Sequence, residues 1–442
     1  MISSSEVSFY IISLGCSKNQ TDSEKVKGAM LSAGYRYSDS AENSDIIIIN
    51  TCGFIKPAKE ESISEILTAI DLKNLYNKEN KEAEFSKKIA VFGCLANRYL
   101  EDIKKDIPEI DFLYSLFDDN FIKKLSDSFG VIINKKITDE RVPLEPGLSY
   151  SYIKISDGCS NNCSYCAIPL IRGSFNPFAP EKILADAENA ARKGAKELVI
   201  IAQDTSLYKY KNTTLSDLIN KISEIEGVEW IRILYCHPDH IHDDLIALVK
   251  KNKKVVKYLD IPFQHASGKI LKKMGRHGNA AIYGELIKKI RNEIPEIRIR
   301  STFMTGFPGE TDDDFNELIN FLKSAKLDRV GAFSYSKEEN TAASSFKNTV
   351  SEKIKNKRLD SLMKIQKKIS LKKLESMIGK EVSIIIEEKL DDITYLCRTE
   401  FDAPEVDGFF YLTVTDDKVE LNTIKRAIVT DAVEYDLIGE FI

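Results

Sequence analysis

The sequence predicts an α/β protein in three parts. These are an amino-terminal parallel-sheet α/β domain over residues 1–134, a central partial (βα)6 barrel over 148–350, and a small antiparallel β-barrel over 380–442. A bridging helix is expected at 351–379. Three observations predict this. Short aliphatic runs alternate with helical stretches through the first 350 residues, the pattern of a parallel sheet. A length of 442 residues calls for two or three domains. The last sixty residues change character, with short β-like runs separated by turn chemistry.

Composition narrows the class. Eight cysteines in 442 residues are far below disulfide-scaffold density. Residues 1–14 lack the basic start and long apolar core of a secretory leader. The longest pure aliphatic run, 46–49, is far too short to span a bilayer. The expectation is a cytosolic protein, with no membrane partner, whose thiols are reduced and free to bind metal. A net charge of −5 argues weakly against a nucleic-acid binder.

In the first domain, residues 9–14 form a strand-like run that ends in Gly15-Cys16. A capping-box pattern from Thr21 to Glu24 predicts a helix start there. Residues 45–50 repeat the theme before Thr51-Cys52-Gly53, with a helix from about Pro57. Residues 89–92 repeat it again before Gly93-Cys94. In a parallel sheet the C-terminal strand ends share one edge, so Cys16, Cys52 and Cys94 are expected to converge there. Each has a glycine beside it, which lets the backbone approach a bulky group closely. The bland alternative is three thiols packed as small core residues. Residues 135–147, with Pro143, Pro146 and Gly147, read as a linker.

The barrel is expected to have strands at 152–155, 198–202, 230–234, 258–261, 298–304 and 329–333, with helical stretches between them. The first strand leads straight into Cys159, Cys163 and Cys166 at C-x3-C-x2-C spacing. Three thiolates satisfy three irons of a four-iron cluster and leave one iron open. A structural zinc ion wants four ligands, and no fourth Cys or His lies nearby in sequence. A zinc or redox loop is the alternative. Polar groups follow the other strands: Gln203-Asp204-Thr205, Gln264-His265, and Gly306-Phe307-Pro308-Gly309-Glu310 with Thr311 as a helix N-cap. Cys236, His237, His240 and His242 permit a zinc reading, but a polar strand-end loop is favoured. Cys236 and Cys397 are expected to be ordinary thiols.

Residues 351–377 read as one long helix with nine basic and three acidic side chains. A nucleic-acid-facing surface competes there with a solvated bridging helix, and the latter is favoured. Residues 380–442 carry six basic and sixteen acidic side chains, a net of −10. Such a surface repels phosphate and attracts a basic protein. Asp402, Glu405 and Asp407, beside Pro404 and Gly408, read as an exposed turn that would steer such a partner.

The stretch Ser156 to Cys166, with Tyr165 just before the last cysteine, resembles the radical S-adenosylmethionine (SAM) superfamily. Leu14 to Glu24 and Asn50 to Phe54 resemble the amino-terminal domain of its methylthiotransferases, and the last sixty residues match the position of their TRAM domain. The resemblance implies SAM bound to the open iron of a [4Fe-4S] cluster on Cys159, Cys163 and Cys166, near Tyr165, Ile168, Gln203, Gly306 and Gly309. It implies a second [4Fe-4S] cluster on Cys16, Cys52 and Cys94 that presents sulfur. Ala167 to Gly173, Ile201 to Thr205 and Asp402 to Gly408 resemble the branch that methylthiolates Cβ of an aspartate in small-subunit ribosomal protein twelve. An electron donor and a sulfur source are implied as further partners. Replacing an unactivated C–H bond needs a cofactor rather than a side-chain acid or base. The related reading, adenosine methylthiolation in tRNA, is favoured by the basic helix and opposed by the acidic tail, which makes tRNA the lesser candidate. A non-enzymatic iron–sulfur carrier is the alternative of another class; it would need neither SAM nor the long barrel.

Overall fold

A computed structural model describes residues 2–82, 85–414 and 419–442. The chain forms two compact units. The first comprises Met1–Pro146 with Gly158–Ser160 and Ala167–Ser174; the second comprises Gly147–Asp157, Asn161–Cys166 and Phe175–Ile442.

In the first unit, β1 (Ser8–Ser13), β2 (Arg36–Tyr37), β3 (Ile46–Thr51), β4 (Lys88–Gly93) and β5 (Phe112–Leu113) make a parallel sheet in the order β2-β1-β3-β4-β5. Strand β3 is buried along its whole length because both faces are covered. Its side chains alternate between two cores. Ile46 and Ile48 join Phe9 and Phe92 on one face, while Ile47 and Ile49 join Ile66 and Val91 on the other. Helix α1 (Ser17–Ser32) begins four residues before the expected Thr21 start, with Cys16 as N-cap. Thr21 lies inside the helix, its hydroxyl donating to the Lys18 carbonyl at 2.8 Å. Glu24 turns away from any capping box to pair with Arg141 at 2.5 Å. Helix α2 (Lys56–Glu79) follows β3, and α3 (Cys94–Arg98) follows β4 without a linker. The short α4 (Ile168–Arg172) also belongs to this unit, with Ala167 and Ile171 packed beside Cys94.

In the second unit, β6 (Tyr150–Lys154), β7 (Glu197–Ile201), β8 (Trp230–Ile233), β9 (Val255–Asp260), β10 (Arg298–Thr305) and β11 (Arg329–Ser334) form one six-stranded parallel sheet. Each strand pairs with its chain neighbours. Helices α5 (Pro180–Arg192), α6 (Leu215–Ser223), α7 (Asp243–Lys251), α8 (Gly268–Lys273), α9 (Ala280–Glu293) and α10 (Asp312–Ala325) alternate with the strands and share their large apolar core. This is the open barrel that six βα units imply.

Helix α11 (Glu352–Glu375) leads to β12 (Glu381–Lys389), β13 (Thr394–Thr399), β14 (Phe410–Thr413), β15 (Ile424–Ala432) and β16 (Leu437–Phe441), a closed barrel ordered β12-β13-β14-β16-β15. This is the expected small antiparallel barrel, with one parallel seam where β14 and β16 pair. Five strands in a closed ring cannot alternate direction throughout, so one parallel pair is unavoidable.

The reading of an exposed acidic turn is corrected at Asp402 and Asp407, while Glu405 and Val406 are exposed as expected. Asp402 is 2% exposed and pairs with Arg329 at 2.5 Å. Asp407, whose side chain is 1% exposed, accepts from the Tyr258 hydroxyl at 2.6 Å and lies 3.5 Å from Arg300. Glu405 accepts from Tyr150 at 2.6 Å and from Tyr152 at 3.1 Å. These partners are barrel side chains, and Ala403 joins their apolar cluster. The turn therefore docks onto the barrel. A turn rich in acids and proline looks wholly exposed in sequence because its cationic and phenolic partners lie 73 to 255 residues away. On α11, Lys355 and Arg358 are buried, and Lys367 and Lys373 pair with Glu434 and Asp328. Four of its nine cations thus hold the second unit together.

Candidate active site: two cysteine triads

The first unit assembles Cys16, Cys52 and Cys94 at the C-terminal edge of its sheet, after β1, β3 and β4. Their glycines make this possible by letting the loops close on one another. A Cβ on Gly15, which has φ +97°, would lie 2.8 Å from the Cys52 sulfur. One on Gly53 would lie 2.8 Å from Leu95 Cα, and one on Gly93, with φ +105°, would lie 2.3 Å from Asn50 Oδ1. Ser62 pins Cys52, accepting from its N–H at 2.9 Å and donating to its carbonyl at 3.0 Å. Cys16 caps α1 and Cys94 opens α3, so the partial positive charge of a helix start lies at both. Burial pushes the Cys94 thiol up to about 12; the nearby Arg172 cation lowers it, and Cys16 raises it further. Burial likewise raises Cys52, with Cys16 adding to the rise. Left bare, Cys52 and Cys94 stay protonated, so taking up a metal there would release protons.

The second triad follows β6. Its loop is built from backbone contacts. Cys159 N–H donates to the Gly173 carbonyl at 3.1 Å, and Gly158, with φ +69°, has no room for a Cβ against the Ser174 carbonyl at 2.2 Å. Cys166 N–H donates to the Cys163 carbonyl at 3.1 Å. Ser164 donates from its backbone to Met274 at 2.8 Å and from its hydroxyl to Lys273 at 2.7 Å. Tyr165 packs edge-on against Phe307 at 6.5 Å. Arg276 is 6% exposed and points a terminal nitrogen at the Cys163 sulfur, 3.8 Å away, while donating to the Pro262 carbonyl at 2.7 Å.

The strand ends carry a polar network. Gln203 donates to Asp157 at 3.3 Å, and its Oε1 is buried without a partner. That orphaned acceptor fits the positively charged amino group of a SAM-like ligand. Asp204 accepts from Asn161 at 2.8 Å and Ser206 at 2.7 Å, and shares a 2.7 Å contact with His240. Burial pushes His237 down to about 3, helped by the Arg276 cation. Asp204, His237 and His240 place ligand atoms within 4.8 Å of one another, but the four-ligand zinc set is not assembled. Cys236 is fully buried in the barrel core, and His242 caps α7. The Asp204 oxygens are already occupied, and Arg276 disfavours a further cation.

Gly306 and Gly309 are in a turn held by the protein itself. Gly306 N–H donates to Glu310 at 2.6 Å, and Lys355 fills the space where its Cβ would lie; Lys273 does so at Gly309. Ile168 opens α4 in the first unit. Sequence reasoning missed Arg172, Arg276 and the Asp204 network. Arg172 stood within a stretch singled out for resemblance, whereas Arg276 had no signal beyond the preceding Gly275.

Residues 153–322 match the radical SAM superfamily, residues 8–115 match Uncharacterized protein family UPF0004, and residues 378–442 match the TRAM domain. Ribosomal protein uS12 methylthiotransferase RimO of Carboxydothermus hydrogenoformans is 40% identical over 98% of this chain and 99% of that protein. The protein of the same name from Caldicellulosiruptor saccharolyticus is 42% identical over 98% and 99%. The chain belongs to the RimO family. It is a radical SAM enzyme of the methylthiotransferase type. Among solved structures, the radical SAM methyltransferase TsrM from Kitasatospora setae aligns with TM-score 0.55, 13% identity and 77% coverage of each chain. The cobalamin-dependent radical enzyme OxsB aligns with TM-score 0.52 and 13% identity over 82% of this chain and 56% of that one. At these identities the likeness shows the fold alone.

The donor sets fit the cofactors that this family implies. Each triad offers three thiols, the number that suits a four-iron cluster with an open iron rather than a closed four-ligand zinc site.

Proposed function

We propose that this protein inserts a methylthio group at Cβ of an aspartate in ribosomal protein uS12, using SAM and two [4Fe-4S] clusters. Cys159, Cys163 and Cys166 would hold one cluster, and Cys16, Cys52 and Cys94 the other. The observation that carries the reading is the presence of two three-thiol sets, each with a buried arginine directed at one sulfur, in a RimO-family chain. When bound, SAM and the clusters supply the hydrogen-atom abstraction, the electron for it and a site for the incoming sulfur. The protein's own part is positional. Asn161, tied to Asp204, fixes the middle of the barrel's cysteine loop. Ser164 anchors the same loop to Lys273 and Met274. Gln203 presents its free acceptor, and Tyr165, Ile168, Gly306 and Gly309 complete the proposed SAM contacts. The four domain ranges 1–134, 148–350, 351–379 and 380–442 remain the proposed division of labour, with the first presenting sulfur and the second making the radical. The proposed setting is the cytoplasm, with an electron donor and a sulfur source as further partners. No described helix is long and apolar enough to cross a membrane.

The test uses anaerobically reconstituted protein, SAM, dithionite and a sulfide source. It is mixed with uS12, free or within the small subunit, or with tRNA. Mass spectrometry is expected to find a methylthio group on an aspartate of uS12 and none on tRNA. Methylthiolated tRNA with unmodified uS12 would reverse the substrate assignment.

A further inference from the structure

Arg172, the last residue of α4, has a side chain 3% exposed. Its guanidinium makes three bonds at once. Nε donates to the Cys94 sulfur at 3.3 Å, one terminal nitrogen to Asp22 at 2.9 Å, and the other to Asn19 Oδ1 at 2.8 Å. Asn19 is itself fastened to two of the cysteine loops, donating to the carbonyls of Leu14 at 2.9 Å and Thr51 at 3.1 Å. Asn50 donates to the Asn19 carbonyl at 2.8 Å. The planar fork is thus held on all sides, and its cation cannot leave the sulfur without breaking an ion pair and a hydrogen bond.

We infer that Arg172 is a positioning residue that sets the electron affinity of the amino-terminal cluster through the Cys94 sulfur, an inference that rests on the two-cluster reading above. One-electron reduction adds a negative charge to the core and its thiolates. A charged N–H donor at a ligand sulfur favours the reduced form, because hydrogen bonds to the sulfurs and net local charge are what tune such clusters. Asp22 works against it, since its carboxylate offsets part of the Arg172 charge from the far side of the guanidinium. The two residues therefore pull the potential in opposite directions. A purely structural clamp would have no such sign.

The test uses the full-length chain with Cys159, Cys163 and Cys166 changed to Ala, so that only the amino-terminal triad holds iron. After anaerobic reconstitution with ferrous iron and sulfide, the midpoint potential is read by an electron paramagnetic resonance titration with dithionite. Arg172→Gln is expected to lower the reduced-to-oxidised ratio at a fixed potential about tenfold, which is about 59 mV for a one-electron couple. Arg172→Lys keeps the charge and loses the fork, and is expected to fall between. Asp22→Asn is expected to move the midpoint the other way. Equal midpoints in all four proteins, or shifts of Arg172→Gln and Asp22→Asn in the same direction, overturn the inference and leave the cluster reading standing. If Arg172→Gln holds no iron, the Lys and Asn variants decide by the same signs. A parent chain with Arg172 intact that binds no iron overturns the cluster reading and this inference together.

Discussion

Glu197→Gln is expected to destabilise the second unit strongly while leaving its shape intact. Glu197 is completely buried at the start of β7. Arg232 donates to one carboxylate oxygen at 2.6 Å and Arg398, from the C-terminal barrel, to the other at 2.6 Å. Both arginines are at most 1% exposed. Burial alone would raise the Glu197 carboxyl, but the two cations outweigh it and hold the group below its ordinary range. Glutamine keeps the volume and leaves two facing buried cations with one fewer anion. Breaking a buried pair in this way costs about 3–5 kcal/mol. With a urea slope of about 3 kcal/mol/M, that moves the midpoint down by about 1–1.7 M. The chain's single tryptophan, Trp230, is the register partner of Glu197 in β8, so its fluorescence reports this unit alone. The pH dependence has a definite sign. A depressed carboxyl stabilises above its unfolded value of about 4.3 and loses that contribution as pH falls through the folded value. The gap between parent and variant is therefore full at pH 7 and closes in acid. A variant whose midpoint stays within about 0.2 M of the parent at pH 7 would refute the reasoning, since that shift is worth only about 0.6 kcal/mol.

Two further outcomes concern the triads. Gly93→Ala puts a Cβ 2.3 Å from Asn50 Oδ1 and 2.7 Å from the Thr51 nitrogen at a left-handed backbone position; iron analysis should show loss of the amino-terminal cluster, with the Trp230 unfolding midpoint unchanged. Cys16→Ala should still release 5′-deoxyadenosine from SAM, because the radical-forming triad is a separate set of thiols, while chromatography and mass spectrometry find no methylthio product.

Much of this was legible in the sequence, for local reasons. The strands of both sheets are short aliphatic runs with a period of two or continuous burial, and Cys16, Cys52 and Cys94 each come within three residues of a strand's end. The start of α1 differs from the expectation because its N-cap is Cys16, without a side-chain hydrogen bond, rather than a Ser or Thr. The parallel seam between β14 and β16 follows from closing an odd ring, which no strand announces individually. Arg172 and Arg276 were missed for a different reason. An arginine 78 residues from Cys94, or 113 from Cys163, has no local pattern tying it to a sulfur. At Gly306 and Gly309 a Cβ would collide with Lys355 and Lys273, a packing reason for glycine that comes from residues far off in sequence.

The same distinction decides what the acidic tail does. A net of −10 over residues 380–442 is a formal count, and steering depends only on charges that face water. Asp402 and Asp407 are spent on Arg329 and Arg300, and Glu387 on Arg398 at 2.8 Å. Asp402 and Asp407 therefore bear on stability and on how the C-terminal barrel is held, whereas Glu405 stays exposed and available to a partner. Asp402→Asn separates the two roles. It leaves Arg329 buried beside a neutral amide and weakens the Thr399 hydroxyl contact at 2.5 Å. The Trp230 urea midpoint should fall, by an amount corresponding to about 3 kcal/mol for a broken buried pair. The salt dependence of uS12 modification should stay that of the parent, because the Asp402 carboxylate is buried against Arg329 and does not face the solvent through which a partner is steered. A variant with normal stability whose modification rate drops only at low salt would restore the steering role and remove the structural one.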